Sequence, residues 1–180
     1  MRIYGNQLLT TLPGQLTRPT SAKVRKALFD IWQGSIVGCR WLDLCAGNGS
    51  MGAEALCRGA SEVIGIEIYE KACRIIKQNW QKFATTNQNF KVIKGDVLKG
   101  LKTLEGQEFN HIYFDPPYTS KLYQPVLEAI ETYKLLKKDG EIAVEHNPKL
   151  WQAMTINGLE ICQKKYYGNN AITFYVLQYS

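Results

Sequence analysis

The segment Trp41 to Leu56, WLDLCAGNGSMGAEAL, constrains this chain more than any other. An apolar run that predicts a buried strand (Trp41 to Cys45) gives way to three closely spaced glycines, Gly47, Gly49 and Gly52, and then to the opening of a helix. Glycine belongs where the backbone takes positive φ or must pass close to a ligand, because a Cβ would collide there. The helix that follows aims its free N–H groups at whatever lies over the turn. By spacing alone, G-x-G-x-x-G fits a dinucleotide site. Asp43, however, stands inside the end of the strand, where its carboxylate would face the ligand. It would repel a pyrophosphate and attract a cation. S-adenosylmethionine, with a sulfonium, an ammonium and no phosphate, suits that order of residues. A tight strand-to-helix turn without a ligand is the plainer alternative.

The chain of 180 residues is long enough for one domain with a real core and too short for two full ones. No run of about eighteen apolar residues exists, which argues against a membrane span, and the N-terminus lacks the apolar core of a signal peptide. Five cysteines, odd in number and without a C-x-x-C pair, argue for reduced thiols in a cytoplasm rather than for disulfides or zinc. A formal charge of +6 leans towards a polyanionic partner without proving one.

Met1 to Tyr4 and Gln7 to Leu12 read as two short strands around Gly5-Asn6, with Pro13-Gly14 ending the second. Residues 1–17 are thus expected to form an extension too small to fold alone, and 18–180 the main domain. In the stretch that follows, Thr20 or Ser21 can cap a helix with Val24, Leu28, Ile31 and Trp32 at helical spacing. Arg18, Lys23, Arg25 and Lys26 lie at its start and on its other face. They read either as a solvated face or as a phosphate-binding edge beside the active site.

Beyond the glycine turn, Glu62 to Glu67 predicts the second strand. Glu67, at its carboxyl end, is placed to accept from both hydroxyls of a ribose, in an NAD enzyme or a methyltransferase alike. Tyr69 to Phe83 is an amphipathic helix whose Trp80 and Phe83 read as core. Lys91 to Lys94 makes a third strand; Asp96, after it, could accept from an adenine amino group or simply close a turn. Val97 to Leu104 is a short helix, and Phe109 to Asp115 a fourth strand running into Pro116-Pro117-Tyr118.

D-P-P-Y is the second strong signal. Two prolines stiffen the backbone and remove two donors, leaving carbonyls that only accept. A planar amine such as guanine N2, adenine N6 or cytosine N4 could be held by Asp115 and the Pro116 carbonyl while its base stacks on Tyr118. Acceptors fixed beforehand would stabilise the positive charge that develops on the attacking nitrogen, and Asp115 would help remove its proton. Tyr123 to Lys138 then reads as a helix, Glu141 to Glu145 as a fifth strand, Pro148 to Met154 as a short helix, and Leu159 to Tyr166 with Ala171 to Tyr179 as a closing hairpin. His111 and His146 have no pairing that suggests metal or triad chemistry, and no metal is expected. The alternation gives an α/β fold: a seven-stranded, mostly parallel sheet with an antiparallel last strand, plus the N-terminal hairpin and helix.

Arg18-Pro19-Thr20, Val24-Arg25, Leu28-Phe29, the run Asp43 to Gly52 with Glu54-Ala55-Leu56, Arg58-Gly59-Ala60, Asp115 to Tyr118, Tyr167-Gly168 and Thr173 to Tyr175 carry a resemblance across essentially the whole chain. It resembles the RsmD-type guanine-N2 methyltransferases of 16S ribosomal RNA, within the Rossmann-like class I methyltransferase fold. That resemblance implies S-adenosylmethionine as cofactor, held by Asp43, Cys45, Ala46, Gly47, Gly49, Glu67, Ile68 and Asp96. It implies a guanine held by Asp115, Pro116, Pro117 and Tyr118, and RNA contact through Arg18, Lys23, Arg25 and Lys26. The expected partner is small-subunit ribosomal RNA in an assembled or assembling 30S particle, met by a cytoplasmic monomer. The family's hairpin is often basic, whereas Asn6 to Gln15 here contains no Lys or Arg. A DNA adenine-N6 methyltransferase, a protein-glutamine methyltransferase, an NAD-dependent oxidoreductase and a non-catalytic ribosome-assembly factor are the alternatives to be separated.

Overall fold

The computed structural model describes residues 1–12 and 20–179. The expected strand end at Pro13-Gly14 and the cation Arg18 lie outside them. A hairpin (β1, Arg2–Ile3; β2, Gln7–Leu8) precedes helix α1 (Ala22–Ile31). Then strands and helices alternate: β3 (Arg40–Leu44), α2 (Ser50–Cys57), β4 (Glu62–Glu67), α3 (Glu70–Phe83), β5 (Asn89–Lys94), α4 (Val97–Lys102), β6 (Phe109–Phe114), α5 (Tyr123–Thr132) and β7 (Leu136–His146). The chain closes with β8 (Leu159–Tyr167) and β9 (Asn170–Leu177).

The sheet runs β5-β4-β3-β6-β7-β9-β8. β3 to β7 pair in parallel, and β9 is antiparallel to both its neighbours. Chain direction across the sheet reverses at β3, between β4 on one side and β6 on the other. Such a switch point leaves a crevice at the carboxyl ends of the strands.

Period-two alternation splits the strands between two cores. Trp41, Val63, Tyr113 and Ala143 face α1, α2 and α3, while Leu42, Leu44, Ile64, Ile112, Phe114 and Val144 face α4 and α5. Asp43 pairs in register with Tyr113, so it shares the first of these faces. Trp80 of α3 is fully buried at the centre of that face and donates its indole N–H to the Gly49 carbonyl at 2.8 Å. Truncating such a side chain to Ala costs about 3–5 kcal/mol.

The N-terminal extension is built into the main domain. Ile3 and Leu9 join its core, and the Asn79 amide of α3 both donates to and accepts from the backbone of Thr10. At α1, Ser21 caps the helix by accepting from Val24 N–H. Val24, Leu28 and Trp32 are buried as expected, Phe29 joins them, and Ile31 is exposed instead.

Three expectations are corrected. Helix α5 stops at Thr132, not Lys138, because Lys134 takes a left-handed conformation (φ 53°) and Leu135 N–H reaches back to the Ile130 carbonyl. Strand β7 therefore begins at Leu136, and Asp139-Gly140 lies within it, opposite an irregularity in the pairing with β6. Pro148 to Met154 is not a helix. One turn forms, with Leu150 and Trp151 N–H on the Asn147 carbonyl, and then Trp151 docks flat on Tyr123.

Candidate active site

The glycine turn is shaped from both sides. Gly47 and Gly49 have φ of 59° and 73°, so a side chain at either would be strained. The Asp43 carboxylate, almost wholly buried, accepts from Gly52 N–H at 3.2 Å and so ties the strand end to the first turn of α2. Burial pushes the Asp43 carboxyl well above its usual range; the Gly52 hydrogen bond opposes this and the nearby Glu67 charge adds to it. Across the turn, Glu67 accepts from Gly47 N–H at 2.8 Å through one oxygen and from Tyr69 N–H at 2.9 Å through the other. The ends of β3 and β4 are thereby locked together.

Between these strand ends lies a cavity of about 570 Å³, within the range of small-molecule and cofactor pockets. Asp43, Cys45, Ala46, Gly47, Glu67, Ile68 and Asp96 line it on one side, and Asp115, Pro116, Pro117 and Tyr118 close it on the other. The two motifs, some seventy residues apart in sequence, thus share one cavity. Four carboxylates face the cavity, and no Lys, Arg or His does, among the described residues. Cys45 senses this field. Burial first, then the charges of Glu67, Asp115, Asp43 and Asp96, push its thiol above the ordinary range, which disfavours the reactive thiolate.

Asp96 also caps α4, accepting from Lys99 N–H at 3.1 Å, so the turn role and the cavity position hold together. Gly49, unlike Gly47, does not line the cavity. A Cβ there would lie 2.9 Å from the Trp80 Nε1. At Gly52 it would be 2.3 Å from Trp80 Cζ2, and at Gly65 2.5 Å from Cη2. One indole therefore demands three glycines. Arg25 is placed apart from Lys23 and Lys26. It is buried, with its Nε 2.6 Å from Glu54 and an Nη donating to the Arg2 carbonyl at 2.7 Å. The guanidinium pins the N-terminal hairpin to α2 instead of facing solvent. Lys23 and Lys26 are exposed on α1, and Lys26 pairs with Asp30.

Two residues outside the sequence motifs complete the site. Glu145, fully buried at the end of β7, accepts from the Tyr118 hydroxyl at 3.1 Å, from Tyr113 at 2.5 Å and from the Asn170 amide at 3.2 Å. Tyr113, on the cavity wall, also meets Thr20 Oγ1 at 3.3 Å. Glu145 thus holds the ring of Tyr118 from behind. Its only sequence signal is an acid at a strand end, which gives no partner. His111 and His146 are buried. Among the described residues, no cluster of three His, Cys, Asp or Glu side chains is arranged for a metal, and no helix is long and apolar enough to cross a membrane.

A doubly wound sheet with an inserted antiparallel strand, a carboxylate-lined cavity at its switch point and D-P-P-Y at the rim define a Rossmann-like methyltransferase. A solved Escherichia coli chain, yhhF, superposes with a TM-score of 0.85 at 26% identity, covering 100% of this chain and 99% of that one. The family model described as "Conserved hypothetical protein 95" matches residues 1–176, and the chain belongs to that family, the RsmD-type methyltransferases. It is 32% identical over 169 residues to Bacillus subtilis YlbH, covering 93% of this chain and 91% of that protein. It is also 32% identical over 129 residues to the ribosomal RNA small subunit methyltransferase D of Escherichia coli K12, covering 71% of this chain and 60% of that protein.

Proposed function

We propose that this protein transfers a methyl group from S-adenosylmethionine to the exocyclic N2 amine of a guanine in small-subunit ribosomal RNA. The observation that carries the reading is the junction of the D-P-P-Y loop with a cavity lined by four carboxylates and, among the described residues, by no Lys, Arg or His. The names of relatives such as the Escherichia coli protein support ribosomal RNA as the substrate.

The residues present fit the cofactor. Glu67, Asp96 and Asp115 set a negative field suited to a ligand of net positive charge, and they disfavour the phosphates of NAD. Glu67 and Asp96 would hold its ribose and adenine, with Cys45, Ala46, Gly47 and Ile68 forming the wall. When bound, S-adenosylmethionine supplies an electrophilic methyl on a sulfonium. The chain's own part is to present the nucleophile. Asp115 would accept from the guanine N2 amine, raise the electron density on that nitrogen and take up the proton it sheds. Pro116 and Pro117 keep the loop stiff and free of competing donors. Tyr118, its hydroxyl fixed on Glu145, would give the base a flat surface to stack on. Lys23 and Lys26 would contact phosphate from α1.

Labelled S-adenosylmethionine, offered to small ribosomal subunits from a strain lacking this gene, with DNA and free RNA alongside, tests the reading. Label in N2-methylguanosine on subunits is expected. Label in DNA adenine would replace the substrate while leaving the fold and cofactor. Cofactor binding without transfer would favour a non-catalytic assembly factor.

A further inference from the structure

We propose that the groove between the β7–β8 connection and the outer face of β8 is a contact surface for single-stranded RNA beside the target base. This rests on the reading of RNA as substrate. The groove, about 220 Å³, is lined by Trp151 and Pro148 on one wall and by Lys164 and Tyr166 on the other. Lys164 and Tyr166 stand two residues apart on β8, so alternation puts both on one face.

Strand direction brings this groove to the active-site edge. β8 is antiparallel to β9, and β9 to β7, so β7 and β8 end on the same side of the sheet. Register carries the level across: Glu145 pairs with Ile172 and Ile172 with Lys165, while His146 pairs with Ala171 and Ala171 with Tyr166. Both walls are tied to the base-holding loop. Asn170, at the hairpin turn, donates to Glu145, which holds Tyr118. Trp151 stacks on Tyr123, at the start of the helix that follows D-P-P-Y, with centroids 4.3 Å apart and planes 14° from parallel.

The chemistry matches a nucleic-acid strand. Between His146 and Asn170 the chain has Lys149, Lys164 and Lys165 and a single acid, Glu160, at the far end of β8. Among the described residues none of these lysines is in an ion pair, unlike Lys26, Lys94 and Lys134. Tyr166 is 66% exposed. Lysines on an edge strand also discourage sheet-to-sheet association. That role does not account for an exposed tyrosine beside a tryptophan-walled groove. Aromatic faces that stack bases, next to cations that follow the backbone, make a platform for single strands.

The test uses the full chain with Lys164→Gln and Tyr166→Ala, both at exposed positions of an edge strand. Binding to a short single-stranded RNA oligonucleotide and to small subunits is measured over a salt series, with kcat and KM for subunits alongside. Lys164→Gln should weaken binding several-fold and flatten the log–log salt slope by about 0.7. Tyr166→Ala should weaken it about five- to a hundredfold with the slope unchanged. Both should raise KM for subunits and leave kcat unaltered. If both variants bind and turn over like the parent, while the parent methylates ribosomal RNA, the groove is not the RNA surface. Loss of subunit binding with oligonucleotide binding intact would assign the groove to a protein contact and overturn the proposal. If the parent methylates no RNA but both variants still lose oligonucleotide binding, the groove stands and the methylation reading fails.

Discussion

The cavity at the ends of β3, β4 and β5 and the groove on β8 open on the same edge of one sheet, yet they are chemical opposites. The cavity is walled by four carboxylates and closed by the loop Pro116-Pro117-Tyr118. The groove is walled by rings and a lysine, and further lysines flank it. The distance between like and unlike charge is set by strand order: β6 and β7 stand between the glycine turn and the closing hairpin. On the proposed function, a polyanion would be kept off the carboxylate-lined cavity while remaining within reach of the D-P-P-Y loop. Glu145 is the joint between the two regions, since its carboxylate touches Tyr118 on one side and Asn170 on the other.

The largest expected effect falls where the regions meet. Asp115→Ala should lower kcat by about 10²- to 10⁴-fold, with calorimetric binding of S-adenosylmethionine little changed. Normal turnover would sink the assigned role of Asp115. Acid comes next and must be separated from the charges of either region. Burial lowers the His111 pKa to about 4, opposed by a hydrogen bond to the Ser35 backbone. The unfolded chain, with an ordinary pKa near 6.5, takes up its proton first. Stability is thus whole above about pH 6.5 and falls as the pH drops towards 4, by on the order of 3 kcal/mol at most. His111→Gln should flatten this slope in pH-dependent denaturation; an unchanged slope would assign it to other groups.

Glu67→Gln should weaken cofactor binding about tenfold or more, because one amide oxygen cannot accept from both Gly47 and Tyr69 while the negative field falls. Its RNA affinity should stay that of the parent, and a matching loss there would break the division between the two regions. Glu145→Gln should reduce kcat about tenfold with cofactor affinity preserved, since an amide can still accept from Tyr118 and Asn170 through its oxygen while donating to Tyr113. Equal loss of kcat and of melting temperature-corrected folded protein would make Glu145 merely structural. The smallest change is expected for Lys26→Ala. Its pair with Asp30 is exposed, worth a few tenths of a kcal/mol at about i,i+4 spacing. KM for subunits should move less than about threefold, below the change at Lys164.

Much of this was legible because it is local. Ser21 as a cap, the strand ending at Glu67 and the turn after β5 follow from neighbouring residues, and the structure places them as read. The α5–β7 boundary was missed because its breaker is Lys134, a residue with no turn preference, held in a left-handed conformation by the contacts around it. Pro148 to Met154 looked helical from composition, but Trp151 is drawn onto Tyr123 after one turn. Arg25 looked like a surface cation, since nothing nearby in sequence shows that Glu54 comes to meet it.

The sequence by itself determined the alternation of strands and helices as far as β7, the closing hairpin, the glycine turn and the acids at the strand ends. Hydrophobic period, turn residues and motif spacing act over a few positions and need no knowledge of the rest. Only the tertiary structure decided that Trp80 requires Gly49, Gly52 and Gly65, that Glu145 stands behind Tyr118, and that Lys164 shares an edge with Asp115. Those contacts join residues tens of positions apart, and they exist only once strand order and register have set which side chains stand on the same face.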